Sequence, residues 1–232
     1  LKTHQYIPPL EGGTLTLLLL GLCLLTACTS GTPNSTQTLT PTPTHTPQSI
    51  YELATSKSPF LANSLSNNSA LYPWREGTNN KGTCIFTGGA NHNIEPTPGY
   101  FHGCGPSGVN LRDLVYQVQM TIVKGDAGGI SFRWSSNDHH YMFLINQDGS
   151  YELRADYVII QGGSSSAIKG GLNQSNLIAI VAQGNTLDLF VNKHYITSVN
   201  DSTNSEGGIG IEAHAISQPT EVEFRNAMVW IL

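Results

Sequence analysis

Apolar and polar positions alternate along residues 130–134, with Ile130, Phe132 and Trp134 on one side and Ser131 and Arg133 on the other. That period of two is the pattern of a strand with one buried face. Residues 141–145 are apolar and aromatic, Asp148-Gly149 supplies a tight turn, and residues 150–154 alternate again. The stretch 125–154 therefore predicts a three-stranded antiparallel meander in the middle of a sheet. Further strand-like runs separated by turn residues occupy 83–87, 91–95, 114–123, 177–182, 186–192, 194–199, 209–214 and 221–232. No helix-period segment of comparable strength is expected beyond residue 27. About ten or more antiparallel strands need two packed sheets or a closed barrel to hide their edges, and the expectation is an all-β, two-sheet antiparallel sandwich.

Ahead of residue 50 the pattern changes. Lys2 precedes an apolar run, residues 15–25, that ends in Leu25-Thr26-Ala27-Cys28. The run is shorter than the roughly 20 residues of a membrane span and has the length of a secretory apolar segment, about 7–15 residues. Its last four residues resemble the lipobox of bacterial lipoproteins, which implies that Cys28 is lipidated and becomes the new N-terminus. A plain signal peptide or a buried helix is the alternative, and the single Lys2 with Glu11 in the leading segment departs from the pattern. Residues 29–49 are rich in Thr, Pro and Ser, and such a segment buries too little apolar surface to offset its ordering entropy. The expected organisation is a signal peptide at 1–27, a linker at 28–49 and a β domain at 50–232, exported and lipid-anchored to the outer face of a bacterial cell membrane.

Charged residues make up 12% of the chain and the formal net charge is −5, which argues against a nucleic-acid surface. With Cys23 in the signal peptide and Cys28 lipidated, Cys84 and Cys104 are the remaining cysteines. In an exported chain they are expected to form a disulfide; a metal site that adds His92 or His102 is the other reading.

The run NLIAIVAQGNTLDLFVNKHYITSVNDSTNSEGGIGIEAHA at 176–215, followed by EVEFRNAMVWIL at 221–232, resembles the C-terminal half of a concanavalin A-like jelly roll. The similarity is to the branch that holds the 3-keto-disaccharide hydrolase family and laminin-G-like domains. Val191-Asn192-Lys193 stands where that branch usually has Val-Asn-Gly. GGISFRW and the Asp148-Gly149-Ser150-Tyr151 hairpin match its N-terminal half, so the resemblance spans 51–232 and extends to bacterial surface lipoproteins. It implies a sandwich with one concave sheet able to line a sugar groove, in a fold that serves lectins, glycosidases and adhesion modules alike.

Sugar recognition needs aromatic faces for C–H surfaces and planar polar groups for hydroxyls. Strand parity offers Gln117 with Gln119, Arg133 with Ser131, and Glu212 with His214, which form one polar cleft if their strands share a sheet and otherwise decorate a solvated face. Tyr141, beside His139-His140 at a hairpin mouth, and His92, after Gly88-Gly89, are rim candidates. The expected ligand-binding set is thus Gln119, Arg133, Tyr141, Glu212, His214 and His92. Trp134 and Trp230 share parity with core positions, while Trp74 is either an exposed stacking platform or a wedge closing the sandwich edge. Asp126 and Asp138 are hard-oxygen candidates for calcium, without a multi-carboxylate cluster around them. No strand carries a Glu-x-Asp-x-(x)-Glu pattern, Glu221-Val222-Glu223 being the nearest approach, and there is no Gly-x-Ser-x-Gly elbow, so no catalytic residue is assigned. The sequence reads as a monomeric, non-catalytic carbohydrate-binding domain, with a hydrolase of the 3-keto-disaccharide type or a protein-binding adhesion module as the alternatives.

Overall fold

The computed structural model describes residues 45–68, 71–79, 81–136 and 139–232. The segment expected to be signal peptide, the lipobox-like run with Cys28, most of the expected linker, Asn137 and Asp138 lie outside the described residues.

The described chain begins with a helix that straddles the boundary expected between linker and domain at residues 49 and 50. Thr46 caps α1 (Pro47–Thr55) by accepting from the Ser49 amide at 3.2 Å, and Pro47 sits in the first turn, where its missing amide proton costs nothing. Its apolar side, Tyr51 and Ala54, seals against a sheet: the Tyr51 ring stacks on Phe190 at 4.7 Å and its hydroxyl donates to Gln117 Oε1 at 2.7 Å.

The strands follow in the order β1 (Leu61–Asn63), β2 (Gly77–Asn79), β3 (Gly82–Thr87), β4 (Ala90–Glu95), β5 (Tyr100–Cys104), β6 (Leu114–Lys124), β7 (Ala127–Ser136) and β8 (His139–Asn146). They continue with β9 (Ser150–Ala155), β10 (Val158–Ser164), β11 (Ser175–Gln183), β12 (Thr186–Val191), β13 (His194–Asn200), β14 (Gly208–Ala215) and β15 (Thr220–Ile231). One sheet of nine strands runs β13-β12-β11-β6-β15-β4-β3-β2, with β1 paired to β15; the other, of six, runs β10-β9-β8-β7-β14-β5. All pairings are antiparallel, and the two sheets stack as a jelly-roll sandwich with the β7-β8-β9 meander inside the six-stranded sheet.

Alternate residues of the two sheets meet in the core. Ile130, Phe132, Tyr141, Phe143 and Leu153 from one face Tyr116, Val118, Met120, Ile178, Ile180, Leu189 and Phe224 from the other. Each buried aliphatic or aromatic side chain contributes about 1.5–3 kcal/mol of transfer free energy. Hydrogen bonds and a disulfide cross the gap, among them the Tyr116 hydroxyl donating to the Gly210 carbonyl at 3.0 Å. Asn93 donates to the carbonyls of His102 at 2.8 Å and Ile211 at 3.0 Å, and the Cys84–Cys104 disulfide joins β3 to β5. With the cysteines bonded to each other and His102 Nδ1 held 2.8 Å from Asn93 Oδ1, the metal reading of this trio is not the state the fold adopts. Replacing both cysteines by serine is expected to cost about 3 kcal/mol through the loop released in the unfolded chain, or roughly 6–12 °C in melting temperature for a domain of this size. Scanning calorimetry checks this, and an unchanged melting temperature would contradict it.

Candidate functional site

Alternation along the six-stranded sheet sends the remaining side chains to the face turned away from its partner sheet. Strand register collects them into three rows. Phe101 lies opposite His214, then Ala127 and Asn146; Gly103 opposite Glu212, then Gly129, Leu144, Glu152 and Gly162; and Gly210 opposite Ser131, then Met142, Arg154 and Ile159.

This face is concave. Arg154 on β9 and Phe101 on β5 are four strand steps apart, roughly 19 Å in a flat sheet at about 4.8 Å per step. They also stand two rows apart along the strands. Yet the Arg154 guanidinium carbon lies 5.3 Å from the centre of the Phe101 ring, closer than the two extended side chains would bring them across a flat sheet, so the sheet curls and brings its rims together. Met142 and Leu144 are fully buried although they lie outside the intersheet core; they form the floor of the hollow. Phe101 stacks on the His214 imidazole with centroids 3.7 Å apart and lies 5.8 Å from the Tyr157 ring, which stands edge-on to His140 at 5.1 Å.

The polar groups between floor and rim are tightly organised. Arg154 donates from Nε and Nη2 to the two oxygens of Glu152 at 2.9 and 3.1 Å, and from Nη1 to the Tyr157 carbonyl at 2.8 Å. This is the bidentate fork that fixes a carboxylate in one orientation. The Glu212 carboxylate rests over Gly103, where an added Cβ would come within 2.6 Å of Oε1, so only glycine leaves it room. Burial pushes the Glu212 carboxyl up to about 7, against a lowering by the Ser131 hydrogen bond. Burial, with help from the Arg154 charge, pushes His214 down to about 4, so its imidazole is neutral at physiological pH. His214 Nδ1 has no hydrogen-bond partner among the described residues; Glu152 Oε1 stands 3.8 Å away.

These shifts set a pH dependence. The stabilisation from neutral Glu212 is complete below its ordinary value of 4.5 and is lost as pH rises through about 7. That from neutral His214 is complete above its ordinary 6.5 and is lost as pH falls through about 4. Glu212→Gln is therefore expected to flatten the decline in melting temperature across the Glu212 window while leaving the acid limb. Parallel curves for the two proteins would show that Glu212 does not titrate there.

Of the expected ligand-binding set, the fold brings Glu212 and His214 together on this face and sends the other four elsewhere. Gln119 lies on β6 in the nine-stranded sheet, where it donates to Ser175 Oγ at 2.8 Å; His92, on β4 of the same sheet, pairs with Glu221 Oε1 at 2.7 Å. Tyr141 points into the core, stacked on Phe132 at 5.2 Å, with its hydroxyl donating to Asp201 Oδ1 at 2.6 Å. Arg133 is buried and donates to the carbonyls of Arg112, Gly184 and Asn204 at 2.8, 2.8 and 3.2 Å, a clamp on three loops. It is the extra residue of a bulge, with φ of +51°. Phe132 pairs with Ile209 and Trp134 with Gly208, which reverses the strand's parity beyond this point. Trp134 therefore leaves the core position that unbroken alternation gives it and lands half-buried on the concave face, its ring centre 5.7 Å from the Arg75 guanidinium carbon.

The other candidates resolve as follows. Trp74 is buried, as the wedge reading expects and the platform reading does not, and Trp230 packs beneath α1. Both oxygens of Asp126 accept from Ser217 and Gln218, four donors that pin the β14–β15 loop and occupy the carboxylate proposed for calcium. Glu152 and Arg154 escaped the sequence reading although they are the polar alternates of β9. Phe101 and Tyr157 had no periodic run to announce them.

The fold is a two-sheet jelly-roll sandwich of the kind found in a carbohydrate-binding module and a galectin-like protein. No protein-family model and no curated protein sequence matches the chain. Among solved structures, the carbohydrate-binding module CBM66 from Bacillus subtilis superposes with a TM-score of 0.56 at 18% identity, covering 68% of this chain and 94% of its own. A Bacillus subtilis protein of unknown function with a galectin-like fold gives 0.58 at 12% identity, over 75% and 96% of the two chains. The exoplasmic/lumenal domain of VIP36, bound to Ca2+ and Man3GlcNAc, gives 0.52 at 10% identity, over 73% and 86%.

Proposed function

We propose that the domain binds a carbohydrate on the concave face of the six-stranded sheet and releases it unaltered. The observation that carries this reading is the buried set Glu152–Arg154, Glu212 and His214, with one imidazole nitrogen lacking a hydrogen-bond partner among the described residues, on a face whose rim carries the rings of Phe101 and Tyr157. Fixed planar acceptors and donors match sugar hydroxyls, and aromatic rims match the C–H faces of the ring. Carbohydrate-binding CBM66 and saccharide-bound VIP36 share the fold, which supports the same reading. A lipid anchor at Cys28, with residues 29–45 as a stalk, would hold a monomeric domain at the outer face of the membrane, as in the surface lipoproteins that the N-terminal segment resembles.

A hydrolase, of the 3-keto-disaccharide type or another glycoside-directed kind, is the second reading, favoured by one feature. Glu212 keeps its proton to about pH 7 on the same face as the Arg-paired carboxylate of Glu152, three strand steps away, a division suited to acid and base roles. A glycan array probed with the protein and with Glu212→Gln, in calcium and in EDTA, tests both. Retention that weakens in the variant, with the saccharide recovered intact by chromatography, supports binding alone. A cleaved product supports the hydrolase. No retained glycan contradicts both and redirects the face to a protein partner.

A further inference from the structure

We propose that the cleft at the β5 edge is a second saccharide subsite, taking the sugar unit next to the one seated on the concave face; this rests on the carbohydrate-binding reading above. The cleft has a volume of about 660 Å³ and is lined by Lys81, Glu95, Thr97, Tyr100, Phe101 and Tyr157, with Gly99 at its margin. That volume falls in the usual range of ligand sites, about 300–1,000 Å³.

Phe101 and Tyr157 join the two sites, because they line this cleft and also roof the concave face through their contacts with His214, His140 and Arg154. A chain leaving the concave face at this rim enters the cleft directly. Tyr100 offers the next stacking surface at 63% exposure, far more than a core-forming tyrosine keeps.

Glu95 supplies the polar recognition. It is 1% exposed, and one of its oxygens accepts from the Thr97 amide at 2.7 Å. The other, Oε2, has no hydrogen-bond partner among the described residues. A buried carboxylate oxygen left unpaired is costly, and a hydroxyl donor from a neutral sugar would satisfy it. Aromatic platform, orphan acceptor and shared rim together specify a hydroxyl-rich pyranose or furanose unit. The domain then reads two or more linked sugars in place of a single terminal one.

The test is titration calorimetry on the intact protein and on Tyr100→Ala, Glu95→Gln and Glu212→Gln. The probes are three length series: glucose, cellobiose and cellotriose; mannose, mannobiose and mannotriose; fructose, sucrose and 1-kestose. The expected result is a series in which affinity rises with length, where Tyr100→Ala and Glu95→Gln each weaken the longer member about tenfold and leave the monosaccharide within about twofold. Glu95→Gln keeps the acceptor for the Thr97 amide, and Tyr100 is exposed, so folding is preserved and is verified by melting temperature. Equal affinity for all lengths, or equal losses at every length, overturns the subsite while leaving the concave-face reading intact. No binding in any series, or binding indifferent to Glu212→Gln, overturns the concave-face reading itself and the subsite with it.

Discussion

Arg154→Ala is expected to weaken saccharide binding by roughly 100-fold, the scale of a central hot-spot residue. The same change removes both hydrogen bonds that orient Glu152, the bond that holds the Tyr157 carbonyl, and the cation above Phe101. It leaves a largely buried carboxylate without its counter-charge, at a cost to stability of about 3 kcal/mol. A loss of binding caused only by unfolding is separated by Arg154→Lys, which keeps the charge but cannot reproduce the planar fork. Lysine is expected to restore most of the melting temperature and to leave binding about tenfold weaker. Full affinity in a folded Arg154→Ala protein would remove this residue from the site.

Arg133→Ala is expected to have the largest effect on stability and none on recognition. Three loop carbonyls lose their donor at once, and Asp113, 3.5 Å from Nη2, loses its cation while keeping the Gly184 amide at 2.7 Å. Orphaning three acceptors costs about 1–3 kcal/mol for each that water does not reach, and the part-exposed Asp113 adds little, for a total of roughly 3–5 kcal/mol, a fall of about 10 °C in melting temperature. The folded fraction at low temperature should bind saccharide as the parent does. Lost binding in a protein of unchanged stability would return Arg133 to the concave face, where strand parity alone had put it.

Arg133 shows where the sequence stops being readable. Strands with strong alternation, such as β6, β7 and β15, were legible because one apolar face must be buried whatever the topology, and β11 was legible as a continuous apolar run. The bulge at Arg133 carries no such signature: it inserts one residue into a regular run and turns Trp134 over to the other face. Glu212 and His214 were legible from parity on β14, and the same parity argument placed Gln117 and Gln119 beside them, while His92 was offered as a rim residue after Gly88-Gly89. The structure puts Gln119 and His92 on the other sheet, because parity and turn position give the face or end of a strand and are silent about the sheet. Here the chain changes sheet after β4, β5, β6, β10, β13 and β14, and β4 and β6 belong to the nine-stranded one.

Tyr141 failed for a different reason. β8 is apolar on both faces, since Met142 and Leu144 floor the hollow while Tyr141 and Phe143 fill the core, so the run had no polar side to read. β1, β2, β5 and β10 are short or lie at sheet edges, where pairing on one side suffices and hydrophobic periodicity fades. Phe101 and Tyr157 went unseen with them, and only curling of the sheet brings these two rims together.

The most direct measurement is backbone-amide chemical-shift mapping of the protein titrated with the saccharide retained on the array. The account predicts shifts confined to the concave face and its rim: Phe101 and Gly103, Ser131 and Trp134, Met142 and Leu144, Glu152 to Tyr157, and Gly210 to His214. Shifts centred instead on the outer face of the nine-stranded sheet, around His92, Gln117, Gln119 and Glu221, would contradict it.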